Sequence, residues 1–191
     1  MSRTFLPHVI TDDSALGGSV IERSLRFESA YLNKSPSGDG NRRTFTLSVW
    51  IKRSDIGEHY ILDAFQDDSN RTRIGIEAGN GMQVTNRVSG STTQLSSSQK
   101  LRDCNGWYHL VVAIDTTQGT ASDRVKIYVN GVQETSFSTA TYPSQNNTTV
   151  YLNGAFNHRV GSNSLGSDLT ASYGNFNGYF AEYNFIDGQA L

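Results

Sequence analysis

Apolar residues recur at every second position through most of this chain, and Gly, Asn, Asp and Ser cut the alternation at short intervals. A period of two sends successive side chains to opposite faces of an extended strand, so one face can be buried and the other solvated. The runs are SLRFESAYL (24–32), TFTLSVWIKR (44–53), YILDAF (60–65), RIGIEA (73–78), MQVTNRV (82–88), WYHLVVAID (107–115), DRVKIYVNG (123–131), TVYLNG (149–154) and GYFAEYNFID (178–187). No stretch carries the three-to-four spacing of an amphipathic helix over three turns. Many short strands with turn chemistry between them predict an all-β sandwich or barrel.

Composition agrees. Charged residues make up 18% of the chain, below the usual quarter or so, and Ser, Thr, Asn and 18 glycines take their place. Prolines number 3. At 191 residues the chain suits one domain that needs no staple. VNGV (129–132) carries the Asn-Gly signal of a tight hairpin and predicts that 126–129 pairs with 132–136. GNGM (79–82) similarly joins two runs. Segments 34–43, 89–103 and 162–175 read as polar loops. Residues 1–22 lack alternation and read as a separate N-terminal arm before a domain spanning 23–191.

The net charge of −2 argues against bulk attraction to nucleic acid or anionic lipid. The single cysteine, Cys104, allows no internal disulfide, which suits a reducing cytosol. Neither a signal-peptide core nor a run long enough to insert in a membrane is visible. The Asn-x-Ser/Thr triplets at Asn33, Asn70, Asn146 and Asn147 are read as chance in such a composition.

Catalytic chemistry is sparse. His8, His59, His109 and His158 are scattered, and no nucleophile elbow, phosphate loop or Cys/His metal pattern occurs. Glycoside hydrolysis needs two carboxyls held roughly 5–10 Å apart. Glu77 and Glu182 are lone acids on strands, so the chain is read as a non-enzyme. Asp67 and Asp68 in QDDSNR offer oxygen ligands for calcium, with a solvated turn as the alternative. Sugar binding uses an aromatic plate ringed by polar groups. Tyr142, Phe156, Tyr173 and Phe176, with Asn153, His158 and Arg159 nearby, are the candidates; plugging the sandwich ends is the alternative.

The phrases SLRFESAYL, RTFTLSVWIKR, NGWYHLVVAID, VKIYVNGV and GYFAEYNFIDG together resemble the laminin-G-like and concanavalin-like jelly-roll superfamily. Phe45, Thr46, Ser48, Trp50, Trp107, His109, Tyr128, Asn130 and Gly131 occupy matching positions, and the resemblance spans roughly 23–187. It implies an antiparallel two-sheet β-sandwich, with first and last strands as neighbours. The closing GYFAEYNFIDGQAL is similar to the end of such modules in structural proteins of tailed bacteriophages.

That likeness implies a virion protein, made in the bacterial cytoplasm, that displays a lectin-like surface to host glycan. It could be a fibre, a head fibre or a capsid decoration. A structural spacer without ligand is the alternative, and a glycan-degrading enzyme a third. Phe5, Leu6, Val9 and Ile10 in the arm would anchor it to other virion proteins or to sister chains, such as a trimer.

Overall fold

The computed structural model describes residues 23–148, 151–165 and 168–191, with only the backbone of 165 and 168–172. The proposed arm, with Phe5, Leu6, Val9 and Ile10, lies outside the described residues.

Two antiparallel sheets form a jelly-roll sandwich. The six-stranded sheet has the order β1 (Leu25–Phe27), β15 (Gly178–Asp187), β3 (Thr44–Arg53), β8 (Tyr108–Asp115), β9 (Val125–Val129), β10 (Val132–Gln133). The seven-stranded sheet has the order β11 (Phe137–Thr141), β7 (Ser91–Lys100), β6 (Gly81–Val88), β5 (Asn70–Ile76), β4 (His59–Asp67), β12 (Asn157–Val160), β2 (Leu32–Lys34). A separate two-stranded ribbon joins β13 (Asn163–Leu165) to β14 (Asp168–Tyr173).

Alternation builds the core directly. Phe45, Leu47, Val49 and Ile51 of β3, with Leu110, Val112 and Ile114 of β8, form one cluster with Leu62, Ile74, Ile76, Met82, Val84 and Leu95 of the other sheet. The two apolar faces pack against each other as sandwich sheets do. The Asn130–Gly131 turn has both residues at positive φ, 52° and 79°, as a tight hairpin requires.

Several sequence expectations need correction. The run 24–32 is two strands in different sheets, separated by Ser29 at φ 54°. Segment 89–103 contains β7, entered through a Ser89–Gly90 turn with both residues at positive φ. Its Ser- and Thr-rich composition hid it, because Leu95 is its one buried apolar side chain. Segment 162–175 holds β13 and β14. Residues 151–154 form a turn, not a strand. The Asn130–Gly131 hairpin pairs only Val132 and Gln133 with Val129 and Tyr128.

The closing strand does lie between β1 and β3, yet it does not keep one face. Its register slips between Ala181 and Asn184, where Glu182 takes φ 46°. This bulge lets Phe180 join the buried core and also packs Tyr183 and Phe185 against it. A chain ending at Ala181 loses the pairing of residues 184–187 with β3 and the Phe185 ring stacked 5.2 Å from Phe45. Thermal denaturation of that truncated protein is expected to show no cooperative transition. A native-like melting curve would contradict the pairing.

Candidate functional site

The outer face of the seven-stranded sheet is where the alternation places charge. Ile74 and Ile76 of β5 point into the core, so Arg71 and Arg73 point out. The GNGM turn pairs Arg71 with Arg87 and Arg73 with Thr85. Two cross-strand rows result. One runs Asn157, Phe65, Arg71, Arg87; the next runs Arg159, Asp63, Arg73, Thr85. Gly75 lies one step further along β5, opposite Tyr60, where a Cβ would come within 2.5 Å of the His59 carbonyl oxygen.

Like charges facing each other across a ladder repel. Burial lowers the Arg71 guanidinium's proton affinity, and neighbouring Arg73 and Arg87 lower it further. Two carboxylates answer only in part. Asp68 lies 3.8 Å from Arg71 Nη2 and is mostly exposed. Asp63 is fully buried, and burial pushes its carboxyl up to about 6 against the pull of the Ser164 hydrogen bond, Arg73 and Arg71.

The β13–β14 ribbon adds backbone groups. Ser164 N–H donates to Asp63 Oδ2 at 3.0 Å, and Arg71 Nη1 donates to the Ser164 carbonyl at 3.3 Å. Arg159 Nη1 donates to the Asn163 carbonyl at 3.0 Å. Polar atoms remain over. The Nε atoms of Arg71, Arg73 and Arg87, the Thr85 hydroxyl and both side-chain polar atoms of Asn157 are buried without a hydrogen-bond partner among the described residues.

An exposed aromatic is wired to this face. Arg73 Nη1 donates to Tyr60 Oη at 2.9 Å, and its guanidinium carbon lies 5.2 Å from that ring's centre. Tyr60 Oη donates to Glu58 Oε1, and Tyr173 Oη donates to Glu58 Oε2 at 3.3 Å. Burial pushes the Tyr60 phenol up to about 12. Tyr173 is 52% exposed, while Tyr60 is buried.

The sugar-site candidates do not converge. Tyr173 joins the arginine face, and Arg159 lies beneath it, fully buried, with its guanidinium 4.4 Å from the Tyr31 ring centre. Phe176 is a core residue packed on Phe180 at 4.4 Å, so its ring has no face open to a ligand. Tyr142 is half-buried against the core rim.

Phe156 stacks edge-on to Tyr151 and lies 5.2 Å from the Arg42 guanidinium. Asn153 Nδ2 donates to Asp187 Oδ1 and to the Asn41 carbonyl. His158 Nδ1 meets the Phe156 carbonyl at 2.8 Å, and burial lowers its ring's proton affinity. Asp67 shapes the β4–β5 turn by accepting from Ser69 N–H and Asn70 Nδ2. Among the described residues no group of His, Cys, Asp or Glu is arranged to hold a metal ion.

The arginines were the residues missed. Their signal was present as Arg-x-Arg on one strand with a third arginine placed opposite by the hairpin register.

Comparison with known proteins places the fold. The description Concanavalin A-like lectin/glucanases superfamily matches residues 28–188. The chain belongs to that superfamily. Solved relatives share the fold at low identity. A heptameric SAP-like pentraxin from Limulus polyphemus is 14% identical over 88% of this chain and 76% of its own, with a TM-score of 0.58.

The LG4-5 domains of the mouse laminin α1 chain are 12% identical over 88% of this chain and 43% of theirs, TM-score 0.62. The CBM40 of the Ruminococcus gnavus IT-sialidase, bound to α2,3-sialyllactose, is 12% identical over 84% of this chain and 93% of its own, TM-score 0.56. No curated protein sequence matches. As a concanavalin A-like sandwich, the chain has a lectin-type fold whose outer face carries the chemistry described above.

Asp63 provides a check on that chemistry. Its carboxyl sits at about 6 in the folded state against 3.8 when unperturbed, so between those values the native state binds more protons than the unfolded chain. Its contribution to stability therefore falls as pH rises through that window, by an amount on the order of 3 kcal/mol. Asp63→Asn removes this fall. Urea denaturation at the two ends of the window should show the variant gaining on the wild type at the higher pH; parallel stability profiles would refute the buried, elevated carboxyl.

Proposed function

We propose that this domain binds carbohydrate through the outer face of its seven-stranded sheet, as the lectin-like module of a tailed-bacteriophage virion protein. The observation that carries the binding reading is the exposed Tyr173 ring beside a face of unpartnered polar groups. Aromatic plates with adjacent hydrogen-bonding groups suit sugar rings, which present apolar C–H faces and polar edges. Structural relatives solved in complex with saccharides support it: the Ruminococcus gnavus CBM40 with α2,3-sialyllactose, and domain 4 of the Geobacillus stearothermophilus arabinanase AbnA with arabinotriose. The virion context rests on the closing phrase GYFAEYNFIDGQAL. In that context the glycan belongs to the host surface, and residues 1–22 anchor the domain to other virion proteins or within a trimer.

A purely structural spacer is the second reading. It is favoured by Leu25 and Leu32, 49% and 53% exposed, beside an apolar cleft of about 390 Å³ between the two sheet edges. Exposed apolar patches mark protein contacts.

The purified protein should bind at least one of a panel of bacterial surface polysaccharides, measured with calcium and again with chelator. Tyr173→Ala should weaken that binding roughly tenfold or more, as loss of an anchor aromatic does. Loss of binding on chelation would add calcium to the site and make Asp67 and Asp68 the next variants. Silence across the panel, with stoichiometric docking to a capsid or tail protein, would favour the spacer.

A further inference from the structure

We propose that Arg71, Arg73 and Arg87 form an anion-binding subsite that selects a saccharide bearing a carboxylate, sulfate or phosphate. This rests on the carbohydrate-binding reading and names the class of ligand for the same face.

Three observations converge on it. First, the charges are concentrated. Arg71 and Arg87 face each other across the β5–β6 ladder, and Arg73 follows two positions along the same face. The whole chain has a net charge of −2, so this cluster runs against the average. A cross-strand pair of arginines that is only partly compensated weakens a sheet, and a bound anion between them converts repulsion into attraction.

Second, the neighbouring carboxyls do not neutralise the cluster. Asp63 is engaged by Ser164 N–H, and Asp68 reaches only one nitrogen of Arg71, at 3.8 Å. Arg87 makes no hydrogen bond or ion pair with the described residues, and its side chain is half-buried.

Third, the face keeps several donors without an acceptor among the described residues. Buried, unpaired N–H and O–H groups carry a desolvation cost, which a ligand oxygen removes if the long arginine side chains swing to meet it. Guanidinium groups present paired N–H donors in a planar fork that matches the oxygens of carboxylate, sulfate and phosphate. Arg71, Arg73 and Arg87 each bring a buried Nε, and Thr85 and Asn157, in the same two rows, bring a hydroxyl and an amide. Tyr173, linked to Arg73 through Glu58 and Tyr60, provides a ring beside the charge on which a sugar can stack.

The test is calorimetric titration of the full chain with a uronic-acid oligosaccharide and its methyl ester, and with sulfated and phosphorylated oligosaccharides and their uncharged parents. These arms separate the anion sources. The expected result is that one acidic saccharide binds more than tenfold tighter than its neutral form, and that rising salt erodes the difference. Arg87→Gln should reduce that preference roughly tenfold while leaving the unfolding midpoint in urea equal to or above that of the wild type, because it relieves repulsion. Arg87→Lys should fall between, keeping charge but losing the fork. Equal binding of acidic and neutral forms, unchanged in Arg87→Gln, would overturn the subsite and leave the carbohydrate reading standing. No saccharide binding at all would overturn both.

Discussion

The register of the β5–β6 hairpin holds the two faces of the seven-stranded sheet in their roles. Pairing Ile74 with Val84 and Ile76 with Met82 puts apolar side chains into the core and, on the other side, aligns Arg71 with Arg87. A slip of one residue would turn those arginines inward and send the aliphatics to water. The turn is built against such a slip. Asn80 adopts φ 66°, and Glu77 N–H donates to the Gly81 carbonyl. The Asn80 side chain is itself gripped from outside the hairpin, accepting from Arg53 Nη1 and from Gly57 N–H at 3.0 Å each. Arg53 is fully buried, and its other nitrogen donates to the Gly57 carbonyl and contacts His59 Nδ1. The opposing sheet thereby clamps the turn that sets the register, through a guanidinium whose two Nη groups find carbonyl, amide and imidazole partners.

Given that register, the sheet can tolerate an unfavourable outer surface. The stability of the sandwich comes from the apolar faces between the sheets. The outer face carries like charges, donors unpaired among the described residues and a buried carboxyl whose proton affinity is raised. Such departures from local consistency are what binding sites impose on a scaffold. Here they coincide with the place where the β13–β14 ribbon lays backbone groups across the strands, and where Tyr173 stands exposed. The superfamily's fold is a lectin-type scaffold; these residues set the charge of its outer face.

Legibility in the sequence followed burial contrast. TFTLSVWIKR was readable as β3 because its inward positions from Phe45 to Ile51 are all large and apolar. STTQLSSSQK was not readable as β7, because hydroxyl side chains fill both faces and the buried ones, Ser96 and Ser97, look the same in sequence as exposed ones. Phe176 and Tyr173, three residues apart in one segment, were equivalent as loop aromatics. One became core and the other surface only because Phe27, Phe180 and His59 close around Phe176. The bulge at Glu182 was hidden too, since a non-glycine at positive φ leaves no mark in the residue type.

The sequence by itself determined the strand period, the principal turns and hence the all-β class, because alternation and left-handed turn residues act within a few positions of chain. Its phrases carried the superfamily resemblance as well. Tertiary structure alone decided which sheet each half of residues 24–34 joins, how the closing strand kinks and which polar groups share a face. Those outcomes depend on pairing between segments distant in the chain: Asn157 reaches the row of Arg71 only through β12 and β4, and Asp63 meets Ser164 only through the ribbon. Local pattern sets what a strand can bury; long-range register sets which unburied side chains become neighbours, and so what the surface can bind.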